Sequence, residues 1–271
     1  MPRVTKNCLY LLILLFPVIV FGQTNGRQPV PPNSLREADV QFSKRVWRVI
    51  DLREKQNRRA VWPGAPINKI LYDAVLNGKL IPYISDSLKS FYTWKQFKSI
   101  GSDTEYVQVP VDPSDPSFTR QDTLISAFDS QERIYELLLM EDWFFDRKLS
   151  SMSVRIIAIA PLYHVKALGV ELGLQPLCWL KYHDNKNIEP DVRDLLIGIK
   201  MFNKENSRSI FTFDDWFEQR RFAGFIVKTS NMEDVSILQD PEVRKKGLEA
   251  LIEAERLKQE NYEYDANQYE D

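Results

Sequence analysis

Histidine, cysteine and glycine are all scarce: two histidines, two cysteines and ten glycines stand among 271 residues. Neither His164 nor His183 has a partner at metal-ligand spacing, so no imidazole-based metal site is expected. Both read as surface or rim residues. Cys8 falls in an N-terminal apolar run, which leaves Cys178 as the lone thiol of an exported chain and allows no internal disulfide. So few glycines offer little material for a phosphate cradle, and no Walker loop, serine elbow, HExxH or CxxC occurs. A formal charge of −2 lacks the basic excess of a nucleic-acid binder. These absences lower the case for an enzyme, and no catalytic residue, metal or cofactor is expected.

What is present begins at the N-terminus. Arg3 and Lys6 precede an apolar run over residues 8–21, followed by the small Gly22 and then Gln23, Thr24 and Asn25. A cationic start, a short apolar core and a small residue at the cut predict a secretory signal peptide over 1–22, an uncleaved anchor being the alternative. Removing Arg3 and Lys6 leaves 34 basic against 38 acidic side chains, a charge of −4. Residues 23–38 carry Pro29, Pro31 and Pro32 and read as a flexible leader. The rest divides into an N-terminal helical/β half over 39–120 and a C-terminal half over 121–271. The second half is expected to contain a β-hairpin, a terminal helix and an acidic tail.

Charge is polarised along the chain. Residues 36–59 hold eight basic and four acidic side chains, and residues 253–271 hold seven acids against Arg256 and Lys258. Such ends can attract neighbouring copies head to tail, or simply form two solvated faces.

The periodicities predict α+β architecture, with helices packed on a small antiparallel sheet. Phe42, Val46, Val49 and Ile50 recur at helical spacing to about Asn57, against a competing strand alternation through Val46, Arg48, Ile50 and Leu52. Pro66 opens a short helix with Ile67, Ile70, Leu71 and Val75 on one face and Gly78 as terminator. Residues 79–84 and 105–111 read as strands, and 112–117 as a loop. Residues 134–145 and 153–160 form the strongest β signal, a hairpin whose second strand Pro161 should stop. Residues 176–182 are a third strand, residues 189–199 a helix or strand, and Asp240-Pro241 caps a final helix. Capping boxes mark helix starts at Thr93/Gln96 and Thr212/Asp215. The echo between these two neighbourhoods leaves open two related halves, though a repeated cap explains it more simply.

The densest acidic group is Glu141, Asp142 and Asp146, set among Trp143, Phe144 and Phe145. Two carboxylates about 5–10 Å apart would suit a glycosidase, but this pattern specifies none. A periplasmic carboxylate-dependent hydrolase or glycan-binding protein using Asp142 and Asp146 is the alternative functional reading.

Four stretches carry a resemblance: Arg48-Val49-Ile50-Asp51-Leu52-Arg53-Glu54-Lys55-Gln56-Asn57, Glu141-Asp142-Trp143-Phe144-Phe145-Asp146, Val154-Arg155-Ile156-Ile157-Ala158-Ile159-Ala160-Pro161, and Phe211-Thr212-Phe213-Asp214-Asp215-Trp216-Phe217-Glu218. In this order they resemble the GldN/PorN family of gliding-motility and type IX secretion proteins, over roughly Val40 to the C-terminus. The resemblance implies a non-enzymatic periplasmic scaffold associated with the outer membrane through a partner. It implies a homo-oligomeric ring built with a GldK/PorK-type lipoprotein, and contact with a GldM/PorM-type inner-membrane motor subunit. Arg48, Asp51, Arg53, Glu54 and Asn57 are expected to serve assembly or a buried polar network, with a solvated helix face as the bland reading. Trp143, Asp215 and Trp216 complete the interface candidates. Leu180-Lys181-Tyr182-His183 departs from the Tyr-Tyr-Pro-like run expected there, which leaves contacts at that strand open and is compatible with a divergent paralogue.

Overall fold

The computed structural model describes residues 40–100, 103–112, 115–126, 128–147, 151–167, 170–183, 189–206 and 208–230, with five helical positions between 252 and 259. The predicted signal peptide, leader, the start of the final helix and the acidic tail beyond 259 lie outside them.

Strand β1 (Val40–Asp51) corrects the helix expected over this segment. Its first half alternates half-buried and exposed residues, whereas Val46 to Ile50 are buried without a break. Covering both faces of a strand erases the period of two and leaves an apolar run that also satisfies helical spacing. The β-branched Val46, Val49 and Ile50 suit the pleated backbone.

Helix α1 (Ile67–Leu76) buries Ile67, Leu71, Ala74 and Val75, and Pro66 stands at its cap rather than inside it. Gly78, at φ +68°, supplies the left-handed residue that ends it. Of the strand expected over 79–84, only Tyr83 makes bridges, to Phe91 and Trp179. Helix α2 (Trp94–Ser99) starts at the Thr93/Gln96 capping box. Strands β2 (Asp103–Asp112) and β3 (Asp115–Ser126) pair as a separate hairpin, so the loop expected over 112–117 is shorter than the sequence suggested.

After the single turn of α3 (Ser130–Arg133), strands β4 (Ile134–Asp146) and β5 (Ser151–Ala167) form the expected hairpin. Pro161 does not stop β5: its carbonyl still accepts from the Leu177 N–H at 2.8 Å, and proline lacks only the donor. Strand β6 (Val170–Pro176) pairs with the far end of β5 and was not anticipated. The expected third strand contracts to β7 (Leu180–Lys181), also on β5. Helices α4 (Val192–Ile197) and α5 (Phe213–Glu218) follow, α5 opening at the Thr212/Asp215 capping box. Strand β8 (Phe225–Thr229), which like β3 and β6 was not anticipated, pairs with β1.

The architecture is α+β, but its antiparallel sheet is large rather than small: six strands run in the order β6-β5-β4-β1-β8, with β7 on β5. The side chains alternate between two covered faces. Ile50, Leu137, Leu139 and Ile159 pack with helical residues such as Leu71, Phe97, Phe213 and Phe217. Trp47, Met140, Ala158 and Ala160 face the other way, against Tyr83 and Trp179. Strand β1 sits between β4 and the edge strand β8, and the residues following Asp51 emerge at one end of it.

Candidate interaction surface

Glu141 has no exposed surface, yet it is ionisable, so its partners must come with it into the core. Its Oε1 accepts from Arg220 Nη2 at 2.8 Å, and its Oε2 accepts from Trp143 Nε1 at 2.9 Å and Arg48 Nε at 3.4 Å. Arg48, itself buried, also donates to the Gly224 carbonyl at 3.1 Å. Both guanidinium groups lie about one ring-width from the Trp143 indole, at 5.8 and 6.0 Å from its centroid. Arg220 holds a left-handed backbone, φ +52°, that directs its side chain back to Glu141. β4, β1 and the segment entering β8 are thus joined by charge as well as by their ladder.

Asn57 closes the turn after β1. Wholly buried, it donates to the carbonyls of Asp51 at 2.7 Å and Ala223 at 2.9 Å, and accepts from the Ala223 N–H at 2.9 Å. That turn is held on its outer side by Arg53, whose guanidinium grips Asp51 at 2.6 Å and reaches Glu136 at 3.2 Å. The Arg53 hydrogen bonds hold the Asp51 carboxyl below its ordinary range. Burial first, and the Asp51 charge next, push the Glu136 carboxyl up. A second buried polar group lies under α4 and α5, where Asp214 accepts from Arg193 at 3.1 Å and from the Tyr182 hydroxyl at 3.2 Å.

With its turn so braced, residues 53–59 project basic side chains around a groove with two lobes. One lobe, about 680 Å³, is lined by Arg53, Arg58, Trp62 and Tyr135 among others. The second, about 620 Å³, is lined by Lys55, Phe211, Trp216 and Arg221 among others. Arg59 and Phe202 belong to both. The partition is aromatic: Trp62 and Phe202 stack at 4.8 Å between centroids and 8° between planes. Apart from the groove, Phe91 and Trp94 are exposed beside a smaller cavity of about 250 Å³.

The sequence candidates therefore separate by burial. Arg48, Asn57 and Trp143 are buried and spend their polar atoms on the internal network. Trp216 is also buried, donating to the Arg221 carbonyl at 2.8 Å. Asp215 caps α5, accepting from the Thr212 N–H at 2.9 Å. Asp51 is half-buried, whereas Arg53 and Glu54 are exposed. The helix-face reading of residues 48–57 falls with the helix itself. Sequence reasoning missed Arg220, which completes the Glu141 site, and the Trp62–Phe202 stack. Arg220 follows the α5 signature immediately, but its left-handed backbone has no sequence mark in a non-glycine residue.

Of the two carboxylates offered for hydrolysis, Asp146 is buried and Asp142 is ion-paired. Both oxygens of Asp142 are taken by Arg45, at 2.6 and 2.8 Å, and Glu141 carries the buried network. Among the described residues no three His, Cys, Asp or Glu side chains gather as a metal site would require. His183 Nδ1 lies 3.1 Å from Asp191, and His164 packs against Tyr135 within β5 rather than standing at a strand end. Cys178 is buried, and burial raises its thiol pKa far above the ordinary value, so it is inert. Among the described residues no helix is long and apolar enough to cross a membrane.

Fold and surface together define an α+β protein organised around a two-faced antiparallel sheet, with an open basic and aromatic groove at one end. The chain belongs to the GldN family: the family model described as gliding motility associated protein GldN matches residues 35–270. It is accordingly a component of the gliding-motility and type IX secretion machinery, in a family of machinery components rather than known enzymes. A comparison with curated proteins finds no match.

Proposed function

We propose that this protein is a non-enzymatic periplasmic scaffold. It assembles with a GldK/PorK-type lipoprotein into a ring beneath the outer membrane, which holds it there, and it contacts a GldM/PorM-type motor subunit of the inner membrane. The observation that carries this reading is the combination of GldN family membership with surfaces suited to protein contact. Phe91 and Trp94, which line one cavity, are 62% and 54% exposed. Large apolar side chains clustered in water have an unfavourable solvation that a partner relieves, and aromatics are enriched at interface centres. The cationic groove adds a second contact surface of different character.

Affinity purification from the native envelope tests the reading. The protein should bring down the lipoprotein and the motor subunit in a high-mass complex, and Phe91→Glu combined with Trp94→Glu should release at least one of them while leaving the melting temperature unchanged. A protein recovered from the envelope as a free monomer, with secretion and motility intact in its absence, would overturn the proposal.

A further inference from the structure

We infer that the two-lobed groove is the docking site for residues 260–271 of a second copy of this chain. The inference rests on the homo-oligomeric part of the proposed scaffold role and names the contact that would build it.

The groove has a one-sided electrostatic character. Arg53, Arg58 and Arg59 line one lobe, Lys55, Arg59 and Arg221 line the other, and no carboxylate among the described residues lines either. Arg53 is committed to Asp51, but no carboxylate among the described residues pairs with Lys55, Arg58, Arg59 or Arg221. Like charges crowded along a concave wall repel one another and concentrate an anionic ligand. Between them the Trp62–Phe202 stack, with Trp62 40% and Phe202 41% exposed, offers aromatic surface to a flat side chain.

The occupant that fits is acidic, aromatic and free of lysine and arginine. Residues 260–271, Glu-Asn-Tyr-Glu-Tyr-Asp-Ala-Asn-Gln-Tyr-Glu-Asp, meet each requirement, with five acids, three tyrosines and no basic side chain. In an extended peptide, side chains alternate between faces, so Tyr262 and Tyr264 point one way and Glu263 and Asp265 the other. Laid across the partition, such a strand presents rings to the stack and carboxylates to the unpaired guanidinium groups, with which arginine forms paired hydrogen bonds.

The chain's own course favours a neighbouring molecule as the source. β8 runs antiparallel to β1, beginning at Phe225 opposite Val49 and ending at Thr229 opposite Val46. The groove lies beyond Asp51, at the other end of β1, so the chain leaves β8 heading away from its own groove. Donation to the next copy makes a head-to-tail contact, the kind that closes into a ring when its rotation permits.

Two variants of the protein beginning at Gln23 test this. One is truncated after Gln259, and the other carries Arg58→Glu and Arg59→Glu, two exposed positions outside the core. By analytical ultracentrifugation the unaltered protein should self-associate, and each variant alone should do so at least about tenfold more weakly. Mixed, the truncated chain still has a groove and the charge-reversed chain still has a tail, so the two should form a one-to-one pair and nothing larger. A fluorescent 260–271 peptide should bind the truncated chain and bind about tenfold more weakly as NaCl rises from about 50 to about 300 mM. Peptide binding unchanged by the charge reversal, or absent, would overturn the assignment. A monomeric unaltered protein that excludes the peptide until its own tail is removed would overturn it in favour of docking within one chain. Co-purification of the lipoprotein is read separately: if it persists while the peptide fails to bind, the groove assignment falls and the scaffold role stands.

Discussion

Asn57 and Ala223 exchange two hydrogen bonds across 166 residues of sequence, the amide nitrogen of Asn57 donating to the Ala223 carbonyl and its oxygen accepting from the Ala223 N–H, each at 2.9 Å. One side chain thereby completes the backbone pairing that β1 and β8 lose where the ladder stops. It also fixes the exit of β1, because the same nitrogen holds the Asp51 carbonyl. The basic turn around the groove depends on this arrangement for its position.

Replacing Asn57 with alanine leaves an N–H and two carbonyls, all partly buried, short of a partner. At about 1–3 kcal/mol for each group left unsatisfied, and with some relaxation, the loss should reach about 2–4 kcal/mol in chemical denaturation. Asn57→Asp keeps the acceptor but loses both donations and buries a charge, so it should be no better tolerated. A loss below about 0.5 kcal/mol for Asn57→Ala would mean that water replaces the side chain.

Glu141→Ala should be among the most destabilising single changes in the sheet, by about 3–5 kcal/mol, because Arg48 would remain buried without its counter-charge. Arg220 separates two contributions. Its alanine variant loses the bond to Glu141 and keeps the left-handed backbone, while its glycine variant relieves that conformation, worth about 1 kcal/mol. Arg220→Gly should therefore unfold at higher denaturant than Arg220→Ala. The reverse order would show that the backbone conformation carries no cost.

Gly224→Ala should weaken the β1–β8 edge. The added methyl would lie 2.7 Å from the Val49 carbonyl oxygen, a backbone atom inside the sheet, and relief requires the strands to part. A loss of about 1–3 kcal/mol is expected, with faster amide exchange across residues 225–229.

The Asp51–Arg53–Glu136 group gives a pH dependence of two opposite signs. Asp51, with its pKa lowered, contributes stability that is present above its unfolded value and lost as pH falls through its folded value. Glu136, with its pKa raised, favours the folded state while protonated, and that contribution is lost as pH rises from about 4.5 through its folded value. Glu136→Gln should therefore gain melting temperature relative to the unaltered protein as pH rises through the window just above 4.5, and should match its pH trend above that window. A constant difference from pH 4 to 7 would show that Glu136 titrates alike in both states.

Local chemistry was readable wherever neighbours in sequence sufficed. The Thr93 and Thr212 capping boxes, the Gly78 helix stop and the hairpin of β4 and β5 follow from contacts within a few residues. The GldN signature, read from four ordered stretches, agrees with the family match. What sequence could not settle was β1, since burial on both faces depends on β4, β8 and the layers above and below. Pro161 likewise reads as a stop only until its free carbonyl is given Leu177 to accept from.

By itself, then, the sequence determined the family, the local helix starts, the hairpin of β4 and β5 and the polarised charge of the two ends. Tertiary structure decided which charges are spent inside and which remain outside. Arg48 and Arg53 differ by five positions and look alike in sequence, yet one neutralises a carboxylate with no exposed surface while the other stands at the rim of the groove. The reason is physical: a charge enters the core only where a partner from a distant strand meets it, and pairing of β1 with β4 brings Glu141 to Arg48.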